Sequence, residues 1–175
     1  SHSFVRTIPK PVIAAINGPC AGVGLVVAMM CDLRFAASDA KLTTAFARRG
    51  LVAEYGLAWV LTRIIGASRA LDLLLSARTL LAPEAHDLGL VDRVLSRDEV
   101  LEAALDYARE LADWSSPWSM ASIKRQVYAA LETDLATAEH HADTLMIESF
   151  GRPDLAEGVS SYLDRRQPGF APLTS

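Results

Sequence analysis

At 175 residues, with 51% apolar and 22% charged side chains and a mean hydropathy of +0.21, the chain has the makeup of one globular domain or slightly more. That makeup excludes a disordered chain, a collagen-like repeat and a coiled-coil rod. The 17 Lys and Arg against 21 Asp and Glu leave a net charge of −4 without a long basic run. Nucleic acid and anionic membrane surfaces are therefore disfavoured as partners.

No apolar run approaches the roughly 20 residues that span a bilayer. The opening SHSFVRTIPK lacks the apolar core of a secretory signal. Cys20 and Cys31 have no His or Cys neighbours, which reads as reduced thiols in a cytoplasmic protein rather than a zinc knuckle. No metal and no resident cofactor is expected.

Residues 11–17 (PVIAAIN) predict a short buried strand, bounded by Pro and Asn-Gly. A turn through Gly22-Val23-Gly24 leads into Leu25–Cys31, a helix apolar on every side and so destined for a core or an interface. Leu33–Ala37 predicts the next strand, giving a βαβ-like unit. Residues 43–56 read as irregular. Amphipathic helices are expected over 57–65 and from Ser68, as N-cap, to about 76. Pro83 opens a third that ends at Gly89, and 90–95 alternates like a strand. The rest reads as helices over 97–114, 117–132, 135–150 and 153–166. The fold class is thus α/β in front, 1–95, with a helical region over 96–175.

The glycine turn is the first site with chemical content. A strand, a glycine turn and a helix aim free N–H groups at one point, and the helix dipole makes that point attractive to negative charge. One reading is a dinucleotide fingerprint, Gly22-x-Gly24-x-x-Ala28, with Asp39 on the ribose. It is weakened because the strand ends at Asn17, five residues before Gly22. The other makes the Val23 N–H one half of an oxyanion hole at a thioester carbonyl. The plain alternative is a turn that lets helix and strand pack closely.

Lys10–Gly18 (KPVIAAING), Ala21–Gly24 (AGVG) and Ala28–Asp32 (AMMCD), followed by Gly50-Leu51, Leu61-Thr62-Arg63 and Gly66, closely resemble the crotonase (enoyl-CoA hydratase/isomerase) family. The likeness continues through 85–94 (AHDLGLVDRV), Glu157-Gly158 and 162–170 (YLDRRQPGF). It implies the second half of a ββα spiral core followed by a helical oligomerisation region, assembled as a homo-trimer or a dimer of trimers. It also implies that a family chain carries roughly a third more sequence upstream, with a second oxyanion donor and much of the CoA pocket. Ser1-His2-Ser3 reads as a tag remnant or as native sequence.

The implied ligand is an acyl-CoA thioester, as substrate rather than cofactor, in fatty-acid metabolism. Family hydratases hold the attacking water between two glutamates. The matching positions here are Val26 and Phe46, which cannot transfer a proton, so the resemblance implies that the two-carboxylate mechanism is absent. Glu54 stands at the loop position where family isomerases place their acid. One base near C2 and N–H donors on the enolate oxygen are what proton abstraction beside a thioester needs. The bland alternative for Glu54 is a solvated loop residue or an ion pair with Arg48 or Arg49.

Gly22, Val26, Phe46 and Tyr55 are the candidate substrate contacts, and Met146 and Arg165 the CoA contacts, near adenine and a phosphate. The functional expectation is double-bond isomerisation. Enoyl-CoA hydration and a catalytically inactive acyl-CoA-binding subunit are the alternatives. His86, His140 and His141 read as surface or packing residues, Met29, Met30 and Trp59 as core, and Arg48 and Arg49 as solvated charges.

Overall fold

The computed structural model describes residues 2–173; of the Ser1-His2-Ser3 triplet, Ser1 lies outside them. The chain forms two compact units. One holds the residues up to Arg6 together with Val12–Leu105; the other holds Thr7–Pro11 and the chain from Asp106 onward.

The first unit is α/β. After a single helical turn, α1 (Phe4–Thr7), come β1 (Ile13–Ile16), β2 (Cys20–Ala21), α2 (Val23–Met30), β3 (Leu33–Ala37) and β4 (Lys41–Thr43). Two 3₁₀ turns, Ala47–Arg49 and Glu54–Gly56, lead to α3 (Leu57–Ile65), α4 (Ala67–Ser76), β5 (Leu80–Leu81), α5 (Ala82–Asp87) and β6 (Arg93–Leu95). β3 is central in one three-stranded sheet, parallel to β1 in the register Ile13↔Leu33 and to β6 in the register Phe35↔Arg93. The second sheet has the order β2-β4-β5, with β2 parallel and β5 antiparallel to β4.

The parallel β1–β3 pair carries out the βαβ expectation, and its ends are tied by side chains. The Asp32 carboxylate accepts from the Val12 N–H at 2.7 Å, while the Asp32 N–H donates to the Val12 carbonyl at 2.9 Å. The buried Arg34 guanidinium donates to the Leu90 and Cys31 carbonyls, both at 2.8 Å, and pairs with Asp92 at 3.1 Å. A buried charge is tolerable only when its donors are used in this way. Around these ties, Phe35, Met29, Leu57, Leu61 and Leu90 fill the core.

Several expectations need correction. β2, β4 and β5 fall where the periodicity shows nothing, because strands of two or three residues exist through pairing rather than pattern. α2 starts at Val23, two residues early, and its apolar surface is not wholly buried: Val23 and Val27 stay exposed. Ser68 lies inside α4, whose N-cap is Gly66. The third helix stops at Asp87, and only 93–95 of the 90–95 stretch pairs as a strand. The first of the later helices begins at Val100 rather than 97, the second ends at Ala130 rather than 132, and the last ends at Leu163 rather than 166.

α6 (Val100–Trp114) begins in the first unit and ends in the second, which continues with α7 (Pro117–Ala130), α8 (Leu135–Phe150) and α9 (Pro153–Leu163). Side-chain caps fix two of these starts: Ser116 accepts from the Ser119 N–H at 3.1 Å, and Asp134 from the Thr137 N–H at 2.8 Å. The Ser116 hydroxyl also donates to Asp154 on α9. The Glu157 carboxylate on α9 takes two hydrogen bonds from Arg166, at 2.6 and 2.9 Å, and one from the Gly169 N–H at 2.6 Å, both donors lying beyond the helix. These donors hold its pKa down to about 2, Arg166 foremost. Apolar side chains remain exposed along α7, α8 and α9, Ile123, Val127, Ile147, Phe150 and Val159 among them. No helix of the described residues is long and apolar enough to cross a membrane.

Candidate active site

Gly22 is the N-cap of α2 and has φ 53°, ψ −121°, a conformation that only glycine adopts without strain. Both of its backbone groups are held: its N–H donates to the Thr43 carbonyl at 3.2 Å, and its carbonyl accepts from Val26 at 3.0 Å. Thr43 is held in turn, its hydroxyl donating to the Ala77 carbonyl at 3.0 Å and accepting from the Ala45 N–H at 3.2 Å. The peptide plane between Ala21 and Gly22 is therefore held from the β4 side, and the plane between Gly22 and Val23 from within α2. Val23 is the first helical residue and 40% exposed. Among the described residues nothing accepts from its N–H. An aligned, unpaired N–H at the positive end of a helix is suited to an oxygen that gains negative charge.

The second part is the turn Glu54–Gly56, which packs against both α2 and α3. Glu54 is half-buried, and among the described residues its carboxylate forms neither an ion pair nor a hydrogen bond. The ion pairs considered for it are not made. Arg48 Nε donates to the Ser76 carbonyl at 2.9 Å, and Arg49 donates to the Ala45 carbonyl at 3.0 Å. Arg48 thus ties the 45–50 loop to the end of α4, and Arg49 closes the loop on itself. Tyr55 is half exposed, sits at φ 53° and meets the His2 ring edge-on at 4.8 Å between centroids.

The other predicted residues divide cleanly. Val26 is 0% exposed and Phe46 5%, so both are packed in the hydrophobic core of the first unit. Met29 and Met30 are core as expected. Trp59 is half-buried and carries the Arg63 guanidinium 3.7 Å and the Arg6 guanidinium 4.9 Å from its ring centre. Asp39, the ribose candidate, instead pairs with Arg97 at 2.7 Å, and that guanidinium holds its pKa below the usual range. Met146 is exposed on α8, and Arg165 follows α9 with φ 53°; both belong to the second unit. His86 is exposed, with Nδ1 3.9 Å from Asp87, and His140 and His141 lie on α8. Among the described residues no three His, Cys, Asp or Glu side chains gather to hold a metal ion.

Sequence reasoning missed two parts of the site. One is the Thr43 carbonyl that orients Gly22, which belongs to a strand too short to show a period. The other is the pair of left-handed residues after Glu54, of which only Gly56 carries a sequence signal.

A helix N-terminus that offers a free N–H, and an unpaired half-buried carboxylate on a turn packed against that helix, are candidate parts of a site that stabilises an oxyanion and moves a proton. The family model for enoyl-CoA hydratase/isomerase matches residues 2–172, and the chain belongs to this family. It is 34% identical over 164 residues to the 1,2-epoxyphenylacetyl-CoA isomerase of Escherichia coli, covering 93% of this chain and 62% of that protein.

Among solved structures, a probable enoyl-CoA hydratase/isomerase from Mycobacterium abscessus superposes with a TM-score of 0.93 at 30% identity, over 96% of this chain and 66% of the other. An enoyl-CoA hydratase from Mycobacterium marinum is 55% identical over 75% of this chain and 67% of its own, with a TM-score of 0.70. The fold of this chain is accordingly α/β of the crotonase type. The chain spans 59% to 62% of the length of the first curated relatives it matches.

Proposed function

We propose that this chain binds an acyl-CoA thioester and moves the double bond of a 3-enoyl thioester into conjugation, with Glu54 as the sole proton carrier. The Glu54 carboxylate takes a proton from C2. The electron pair passes into a dienolate whose oxygen accepts the Val23 N–H. The same carboxyl then returns the proton at C4, leaving a C2=C3 double bond and no net change of atoms. The observation that carries this reading is the unpaired, half-buried carboxylate on a turn packed against the helix that begins with a free N–H.

Isomerisation is preferred over hydration because hydrocarbon side chains, Val26 and Phe46, stand where the family resemblance puts the two water-holding glutamates. The name of the Escherichia coli relative, an isomerase, points the same way, although other relatives carry the name enoyl-CoA hydratase. In this reading the acyl chain runs past Gly22 and Tyr55 of the first unit. The exposed apolar faces of α7 to α9 support assembly as a trimer or a dimer of trimers, and the first half of the chain supplies the second part of a spiral core.

The test is turnover of 3-enoyl-CoA followed as the rise of conjugated thioester absorbance, with 2-enoyl-CoA hydration assayed beside it. Glu54→Gln is expected to lower isomerisation by on the order of 10²–10⁴, the usual contribution of a positioned proton-transfer group. Hydration without isomerisation would replace the proposal with a hydratase. CoA-thioester binding without either reaction would leave a binding subunit.

A further inference from the structure

The geometry points to Gly56 as a positioning residue for Glu54, through a pair of consecutive left-handed residues; this rests on the proposed role of Glu54 as base. Tyr55 has φ 53°, ψ 28° and Gly56 has φ 77°, ψ 14°. Left-handed backbone is disfavoured for residues with a Cβ and is visited as single residues rather than in runs. A tyrosine held there next to a candidate base is local strain at a site, and such strain persists only where the surroundings over-determine it.

The surroundings do so here. The Glu54 carbonyl accepts from the Leu57 N–H, closing the turn. Leu57, the first residue of α3, is fully buried, so the exit of the turn is anchored in the core. The entry is held less firmly: the Leu51 N–H donates to the Phe46 carbonyl at 3.1 Å, but the Leu51 and Val52 side chains are exposed. The direction of the Glu54 side chain is therefore set from its C-terminal side, by the two dihedral pairs that connect it to Leu57. If Gly56 relaxed toward an ordinary conformation, Tyr55 and Glu54 would swing together while α3 stayed in place.

Space is not what selects glycine at this position. A Cβ built on Gly56 meets nothing within 4 Å. The demand is conformational, and it separates residues by their tolerance of positive φ: Asn adopts it far more readily than Ala. A role in packing alone would rank substitutions by size instead.

The experiment compares Gly56→Ala, Gly56→Asn and Glu54→Gln in the full chain, by kcat and KM for 3-enoyl-CoA and by thermal melting. Gly56→Ala is expected to fold, to lose on the order of 10-fold to 100-fold in kcat, in line with misplacement of a catalytic group by about 1 Å, and to keep KM within about 2-fold. Gly56→Asn is expected to recover kcat to within about 3-fold of the parent chain, because Asn tolerates left-handed backbone. A Gly56→Ala chain with parental kcat beside an inactive Glu54→Gln overturns the positioning role and leaves the base in place. A parent chain without turnover, or a fully active Glu54→Gln, overturns the base and the positioning role together. If Gly56→Ala does not fold, Gly56→Asn still decides: a loss beyond about 3-fold in a folded Asn variant overturns the proposal.

Discussion

Replacing Val23 by proline removes one atom of chemistry from the proposed oxyanion site and little else. Proline lacks the N–H, and at the first position of a helix that N–H has no intrahelical partner to lose. Its fixed φ near −65° suits a helical residue. The preceding residue must avoid helical backbone, and Gly22 does: φ 53°, ψ −121° is the mirror image of an extended conformation, open to glycine. The Val23 side chain is 40% exposed, so its packing contributes little.

Stability is expected to change by no more than about 0.5 kcal/mol, as at other exposed positions. Turnover is expected to fall by about 10²–10³, equivalent to roughly 2.7–4 kcal/mol of lost transition-state stabilisation, the effect of deleting one oxyanion donor. Val23→Ala keeps the N–H and serves as the control. The assay is kcat for 3-enoyl-CoA beside thermal melting of all three chains. A folded Val23→Pro chain with kcat equal to that of Val23→Ala would show that the Val23 N–H does not meet the thioester oxygen.

Three further outcomes follow from the structure. Phe35 is 1% exposed on the central strand of its sheet, so Phe35→Ala should cost about 3–5 kcal/mol and lower the melting temperature of the chain by roughly 6–20 °C; a drop of a degree or two would mean that the core closes over the gap. Burial pushes the Cys20 thiol up to about 11, with the neighbouring Cys31 adding to it. Alkylation of Cys20 at pH 8 should therefore require unfolding, and rapid labelling of the native chain would contradict this. The Glu157 carboxyl, ordinarily near 4.5, is lowered to about 2 by Arg166 and the Gly169 N–H. A depressed carboxyl pKa stabilises the folded tail above the unfolded value, and that contribution is lost as pH falls from about 4.5 toward about 2. The Gly169 amide resonance should titrate with a midpoint near the lower value, and a midpoint near 4.5 would refute the clasp.

The long elements were legible because each carries its own period or boundary. Leu33–Ala37 and Leu57–Ile65 match the predicted ranges, and Leu135–Phe150 does so behind an Asp134 cap. The short strands were not, since Cys20–Ala21 and Leu80–Leu81 owe their conformation to Leu42, Thr43 and Lys41 across the ladder rather than to anything within two residues. The same physics divides the site. Val23 became a candidate because a glycine turn ahead of an apolar helix dictates where its N–H groups point, and Glu54 because the family resemblance places an isomerase's acid at its loop position. What links them is tertiary.

The conformation of Tyr55 in particular has no local cause. Tyrosine does not favour positive φ, and no capping or turn pattern around 54–56 asks for it. It follows only once Leu57 is buried at the head of α3 and the turn is pressed against α2. The core fixes the start of α3, and in the proposed reading the left-handed Tyr55–Gly56 pair carries that anchor to the Glu54 carboxylate. In that reading Val26, on α2 itself, matters although it carries no proton: as a buried core residue it keeps in place the helix against which the Glu54 turn packs.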